Sequence, residues 1–130
     1  IRATVFVPET ESSTSHTRGL LPDSVPRTDA VFNLSRSALA VVALTTDPEC
    51  LFDATVDRLH QPYRAPSMPH SAELVAMLRE HGYAAMVSGA GPSVLILGAL
   101  PVTDDVVALA HDIGFATWPV EVAKGVEISW

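Results

Sequence analysis

The hydrophobic positions of this chain change period several times, and each change marks an element. Arg2 to Val7 is rich in β-branched and aromatic residues and stops at Pro8, which predicts a strand leaving a sheet. Glu9 to Ser15 is polar. Ser12, Ser13, Thr14 and Ser15 offer helix N-caps for a short helix running to Leu21, before Pro22 stops it. After a loop from Pro22 to Thr28, Thr28 and Asp29 supply a cap and an acidic first-turn residue. Val31, Leu34, Ala38, Val41 and Val42 then recur at three- and four-residue spacing. Leu39, Ala40, Ala43 and Leu44 make the rear half apolar nearly all round, which predicts a buried central helix.

Asp47 and Pro48 open a further predicted helix, to about Leu59. The three prolines between His60 and Pro69 predict a loop or extended connector. Ser71 is positioned to cap a helix carrying Leu74, Val75 and Leu78, with Gly82 as its stop. Tyr83 to Val87 and Val94 to Gly98 read as two strands around a glycine turn, Ser88 to Ser93. Thr103, Asp104 and Asp105 begin a last helix whose face is Val106, Val107, Ala110 and Ile113 and whose end is Gly114. Phe115 to Val122 and Gly125 to Trp130 read as closing strands. The succession predicts an α+β fold, most like a ferredoxin-like split βαβ arrangement: an antiparallel sheet with helices on one face.

Composition is consistent with that picture. At 130 residues, 48% hydrophobic and 18% charged, the chain has the size and apolar content of one folded domain. The longest apolar run, Ala38 to Leu44, falls far short of the roughly 18 residues of a membrane span, so a membrane role is not expected. A net charge of −7 repels a polyanion and argues against nucleic acid. The single Cys50 cannot pair within the chain, which suggests a reducing, cytoplasmic setting. A helix start around Cys50 would bury it, which argues against a nucleophile. The histidines at 16, 60, 70, 81 and 111 never fall at metal-site spacing, and no G-x-S-x-G elbow occurs.

Three segments could carry chemistry. In Ser88-Gly89-Ala90-Gly91-Pro92-Ser93, two glycines let backbone N–H groups approach an anion, although a plain hairpin turn has the same composition. In Ser13-Thr14-Ser15-His16-Thr17-Arg18, a helix would project Thr14 and Arg18 from one face, whereas spacing alone favours a hydroxyl-rich cap followed by a surface arginine. Gln61-Pro62-Tyr63-Arg64 is either a rigid loop aiming one arginine at an anion or a solvated loop. Seven of the eight basic residues are arginines, the planar fork that suits carboxylates and phosphates.

In this order the pieces resemble the C-terminal half of the homoserine kinases, within the GHMP family of small-molecule kinases. The positions that carry the resemblance are Ser13-Thr14 with Arg18, Leu20-Leu21-Pro22, Pro62 with Arg64, the Ser88 to Ser93 turn, and Lys124-Gly125-Val126-Glu127. The resemblance implies that Arg18 and Arg64 bind the α-carboxylate of L-homoserine, and that Thr14 lies beside the accepting hydroxyl and the γ-phosphate. It also implies that the turn from Gly89 to Gly91 shapes the floor of the substrate site. The implied reaction transfers phosphate from ATP, with Mg2+, to homoserine on the route to threonine, and the family admits a homodimer.

Departures are Ala90, where the family has a small hydroxyl residue, and His16-Thr17, where it commonly has Glu-Ala. The family's phosphate loop, P-x-x-x-G-L-G-S-S-A, is absent from these residues. Ile1 begins a strand without an initiator methionine. The expectation is therefore a C-terminal part of a longer enzyme, inactive alone. Residues 1–10 would be an end strand of an N-terminal domain and residues 11–130 the C-terminal domain. The alternatives are a non-catalytic α+β module that binds an amino acid and regulates a partner, or another GHMP kinase acting on a different small alcohol.

Overall fold

A computed structural model describes residues 1–9, 19–123 and 125. Its four strands are β1 (Arg2–Pro8), β2 (Ala84–Val87), β3 (Val94–Gly98) and β4 (Phe115–Val120). They form one antiparallel sheet in the order β2-β3-β1-β4. Between β1 and β2 run α1 (Arg27–Thr45), a 3-10 turn (Pro48–Cys50) leading into α2 (Leu51–Ala54), α3 (Gln61–Arg64), a second 3-10 turn (Ala65–Ser67) and α4 (Pro69–Glu80). Helix α5 (Asp104–Asp112) joins β3 to β4. This is the predicted ferredoxin-like topology, with β3 inserted antiparallel beside β1. Strand β1, which sequence assigns to a preceding domain, sits in the sheet interior between β3 and β4.

Register explains the core. Phe6 lies opposite Val94 on β3 and Thr117 on β4, and Ala85 lies opposite Ile96. The two-residue period of a strand therefore gathers Phe6, Ala85, Val94, Ile96 and Phe115 on one face. Leu74 and Leu78 of α4 and Val106 and Ala110 of α5, at helical four-residue spacing, close over that face. Each of the two fully buried leucines contributes roughly 1.5–3 kcal/mol.

Helices on one face thus describes α4 and α5, and the structure adds a partial second layer. On the opposite face, Ala84 and Leu97 pack with Leu39, Ala40 and Ala43 of α1 and with Leu51 and Ala54 of α2. Nearer β4 the same face is open, with Trp118 60% exposed. The prediction of a buried central helix is corrected here. Only Ala43 of α1 is fully buried, and Leu34 is 69% exposed. Its apolar residues run nearly all round the helix, and the short β2–β3 edge covers only one side of it.

Other boundaries shift for identifiable reasons. The helix begun at Asp47, whose carboxylate accepts from the Glu49 N–H at 3.2 Å, stops at Ala54 rather than near Leu59. There the Thr55 hydroxyl turns back to donate to the Leu51 carbonyl at 2.9 Å. The His60 to Pro69 connector is helical. Pro62, Pro66 and Pro69 each sit in the first turn of a successive helical piece, where a missing N–H costs nothing. Ser71 is not a cap. It lies inside α4, buried, and its hydroxyl donates to the Pro92 carbonyl at 2.6 Å, tying the helix to the glycine turn. Gly82, at φ +83°, ends α4 as expected. No helix among the described residues is long and apolar enough to cross a membrane.

Candidate functional site

Thr55 and Val56 end one helical piece and Pro62 favours the start of the next, leaving Asp57 in the gap between them. Its carboxylate accepts from the backbone N–H of Leu59 (3.1 Å), His60 (2.8 Å) and Gln61 (2.6 Å). It thereby takes up donors that would otherwise go unmatched at the start of α3. The same carboxylate accepts from Asn33 Nδ2 of α1 at 2.6 Å and lies 3.0 Å from His60 Nδ1. Asn33 Oδ1 in turn accepts from the Arg58 N–H at 2.8 Å. Burial would raise the Asp57 pKa. The hydrogen bonds from the Gln61 N–H, the Asn33 amide and His60 outweigh that and lower it to about 2.

Fixed in this way, α3 presents Arg64. Its residue is only 9% exposed, and Nη1 donates to the Gly89 carbonyl at 3.3 Å, while Nε is buried with no acceptor among the described residues. Gln61, one turn earlier, accepts the Val87 N–H on its Oε1 at 2.8 Å, so α3 is tied to β2 at one end and to the glycine turn at the other. The two segments the sequence singled out separately, Gln61 to Arg64 and the glycine turn, therefore meet. They border a cleft of about 390 Å³, closed on its other side by α1 through Asn33, Arg36 and Ala40.

The glycine turn itself closes with the Ser88 N–H donating to Ser93 O at 2.8 Å and the Gly91 N–H to Ser88 O at 3.0 Å. Gly89 and Gly91 have φ of +60° and +82°. At Gly91 an added Cβ would meet Met68 Sδ at 2.6 Å and Val87 Cγ1 at 3.1 Å. Gly91→Ala is expected to cost about 1–3 kcal/mol from the left-handed backbone alone. The check is the urea midpoint, with Gly98→Ala, which meets nothing within 4 Å, as the comparison.

Among the other predicted positions, Thr14, Arg18 and His16 lie outside the described residues, as do Lys124 and 126–130. Cys50 is partly buried, with its pKa raised by burial and then by Asp47, against a thiolate. Among the described residues no group of three His, Cys, Asp or Glu could hold a metal ion. Sequence reasoning missed Asn33, Arg36 and Asp57. Helical spacing puts Asn33, Arg36 and Ala40 on one face of α1, a polar interruption of an otherwise apolar helix and the one signal that could have found the first two.

Comparison with known proteins follows the same outline. A sequence model of the family described as "GHMP kinases C terminal" matches residues 40–116. The homoserine kinase of Rhodococcus erythropolis is 54% identical over 129 residues, covering 99% of this chain and 41% of that protein. The homoserine kinase of Clavibacter michiganensis is 60% identical over 97 residues, 75% of this chain and 31% of that one. The crystal structure of homoserine kinase from Cytophaga hutchinsonii superposes with a TM-score of 0.79 at 20% identity, over 93% of this chain and 41% of that one. The chain spans about two fifths of the length of such relatives.

Proposed function

This chain belongs to the GHMP kinase family, whose C-terminal domain it carries, and on that premise we propose that it is the substrate-clamp portion of a homoserine kinase. The observation that carries this reading is Arg64: a buried guanidinium with one N–H unmatched among the described residues, held at the edge of a cleft. A charged donor in that state is costly unless an anion completes it.

In the proposed reaction the α-carboxylate of L-homoserine completes Arg64, with Arg18 as the second arm of the clamp. Anchoring the carboxylate fixes the far end of a short, flexible substrate. Its hydroxyl is then held near Thr14, in line with the γ-phosphate of ATP, and such positioning is most of what phosphoryl transfer asks of the protein. The carbonyl of Gly89 holds the guanidinium plane of Arg64, and Gly91 leaves room for Met68 beneath the turn. ATP supplies the transferred group. Among the described residues no three His, Cys, Asp or Glu side chains gather around a metal position, so no step is assigned to magnesium on them. We assign Mg2+ and the ATP phosphates mainly to the N-terminal half of the enzyme, because the family's phosphate loop does not occur in these 130 residues.

The test is the full-length gene product with MgATP and L-homoserine, read by coupled ADP release and by 31P NMR of the product. ADP release that depends on homoserine, with O-phosphohomoserine formed, is the expected result. Absence of homoserine-dependent ADP release would overturn the kinase reading, and homoserine binding without ADP would favour a regulatory amino-acid-binding module. The 130-residue chain alone is expected to give no turnover in the same assay.

A further inference from the structure

We propose that Arg36 of α1 is a further ligand for the carboxylate bound at Arg64, an assignment that rests on the substrate reading above. Three buried side-chain nitrogen or oxygen atoms lack a partner among the described residues, and two of them are guanidinium nitrogens, Nε of Arg36 and Nε of Arg64. Both residues border the one cleft, Arg36 from α1 and Arg64 from α3. An unmatched buried guanidinium N–H is uncommon in a folded chain; the two here belong to residues that border a single cavity, which points to an acceptor missing beside them.

The acids nearby do not supply it. Asp57 already takes contacts from three backbone N–H groups, Asn33 and His60. Asp53 lies 3.9 Å from Arg36 Nη1 with its side chain 72% exposed, at the limit of an ion pair and largely solvated. Arg36 Nη1 reaches the Asp53 carbonyl only at 3.4 Å. Its guanidinium carbon sits 4.5 Å from the centre of the Phe32 ring, a stacking contact that holds the planar group without using its hydrogen-bond donors. Arg79 shows what a satisfied structural arginine looks like in this fold. Its Nη atoms donate to Thr55 Oγ1, Ala85 O and Phe52 O at 3.0, 3.1 and 2.7 Å. The cleft thus holds two under-used cations in a chain of net charge −7, and a carboxylate is the small anion whose two oxygens match such forks.

The test is isothermal titration calorimetry on the full-length protein with L-homoserine and, separately, MgATP. Arg36→Met keeps the stem over Phe32 and removes the charge. It is expected to weaken L-homoserine binding on the order of tenfold while leaving MgATP within twofold, with Arg36→Lys intermediate. Arg58→Ala, which removes a neighbouring arginine that also stacks on Phe32 (3.8 Å) but does not border the cleft, is expected to match wild type. A merely structural role for Arg36 would weaken both ligands together, and that result overturns the proposal. So does L-homoserine affinity within twofold of wild type in Arg36→Met. If the wild-type protein binds L-homoserine in an Arg36-dependent way yet releases no ADP, the kinase reading fails and this assignment stands. If it binds no L-homoserine, both fall.

Discussion

Replacing Arg64 with alanine in the full-length enzyme is expected to raise KM for L-homoserine about 100-fold, with KM for ATP little changed. The magnitude follows from losing a charge-assisted contact made by a buried guanidinium; hydrogen bonds to charged groups are each worth roughly 1.5–3 kcal/mol. Kinetic constants for both substrates decide the matter. A rise confined to homoserine identifies a contact made to that ligand, whereas equal losses for both point to a collapsed fold. Collapse is a real alternative here, because the Arg64 side chain is buried and its Nη1 also donates to Gly89 O at 3.3 Å. Arg64→Lys guards against it by keeping a charge and a long stem. Lysine cannot reproduce the planar fork, so a KM between those of alanine and wild type is expected. Homoserine KM within twofold of wild type in the alanine variant would sink the carboxylate-clamp assignment.

Asp57→Ala is the second large effect, and it acts on stability before it acts on substrate. Removing the carboxylate strands the N–H groups of Leu59, His60 and Gln61 together with the Asn33 amide, all of which it now accepts. The loss is expected to be on the order of 3 kcal/mol, since two or more of these donors lie where water reaches them poorly. The wild-type protein carries a linked pH signature. Asp57 titrates at about 2 when folded against 3.8 ordinarily, so the folded pKa is depressed. Its contribution is fully present above about pH 4 and drains away as pH falls toward 2. The total is about 2 kcal/mol, reasonable for a side chain only 16% exposed. Urea melts of wild type and Asp57→Ala at pH 6 and pH 2.5 measure this directly: the gap between the two proteins should narrow by more than 1 kcal/mol at the lower pH. A gap that stays constant between the two pH values would show that the carboxylate is not the ionised hub described here. Because α3 is held through Asp57, the same variant should also raise homoserine KM, and Asp57→Asn, which keeps one acceptor oxygen, should fall between.

The legible part of the fold was the part written in local periodicity. Strand β1, the hairpin around Ser88 to Ser93 and helices α4 and α5 were recoverable because their alternation or four-residue spacing coincides with the face each one buries. The connector from His60 to Pro69 was misread for the opposite reason. Three prolines exclude a continuous helix but not three short helical starts, and only the Asp57 carboxylate, a side chain outside the segment, makes the first of them favourable. Helix α1 had a correct pattern and an incorrect environment, since periodicity shows which faces are apolar and not which of them finds a partner.

The cleft divides along the same line. That Arg64 sits beside prolines and that a glycine turn follows some 25 residues later are facts of the linear chain, and they carried part of the resemblance to the GHMP kinases, with Ser13-Thr14 and Arg18, Leu20 to Pro22 and Lys124 to Glu127. Folding decided that Gly89 receives the Arg64 guanidinium and that Asn33 reaches Asp57 across 24 residues. It also decided that Arg36 and Arg64, 28 positions apart in sequence, border one cavity and each keep an Nε–H that is unpaired among the described residues. Sequence by itself determined the elements and the chemistry of individual side chains, because both are set within a few bonds of each residue. Which arginine N–H groups find acceptors among the described residues and which do not was decided only by the tertiary structure, because burial and the supply of acceptors depend on what the rest of the chain brings alongside.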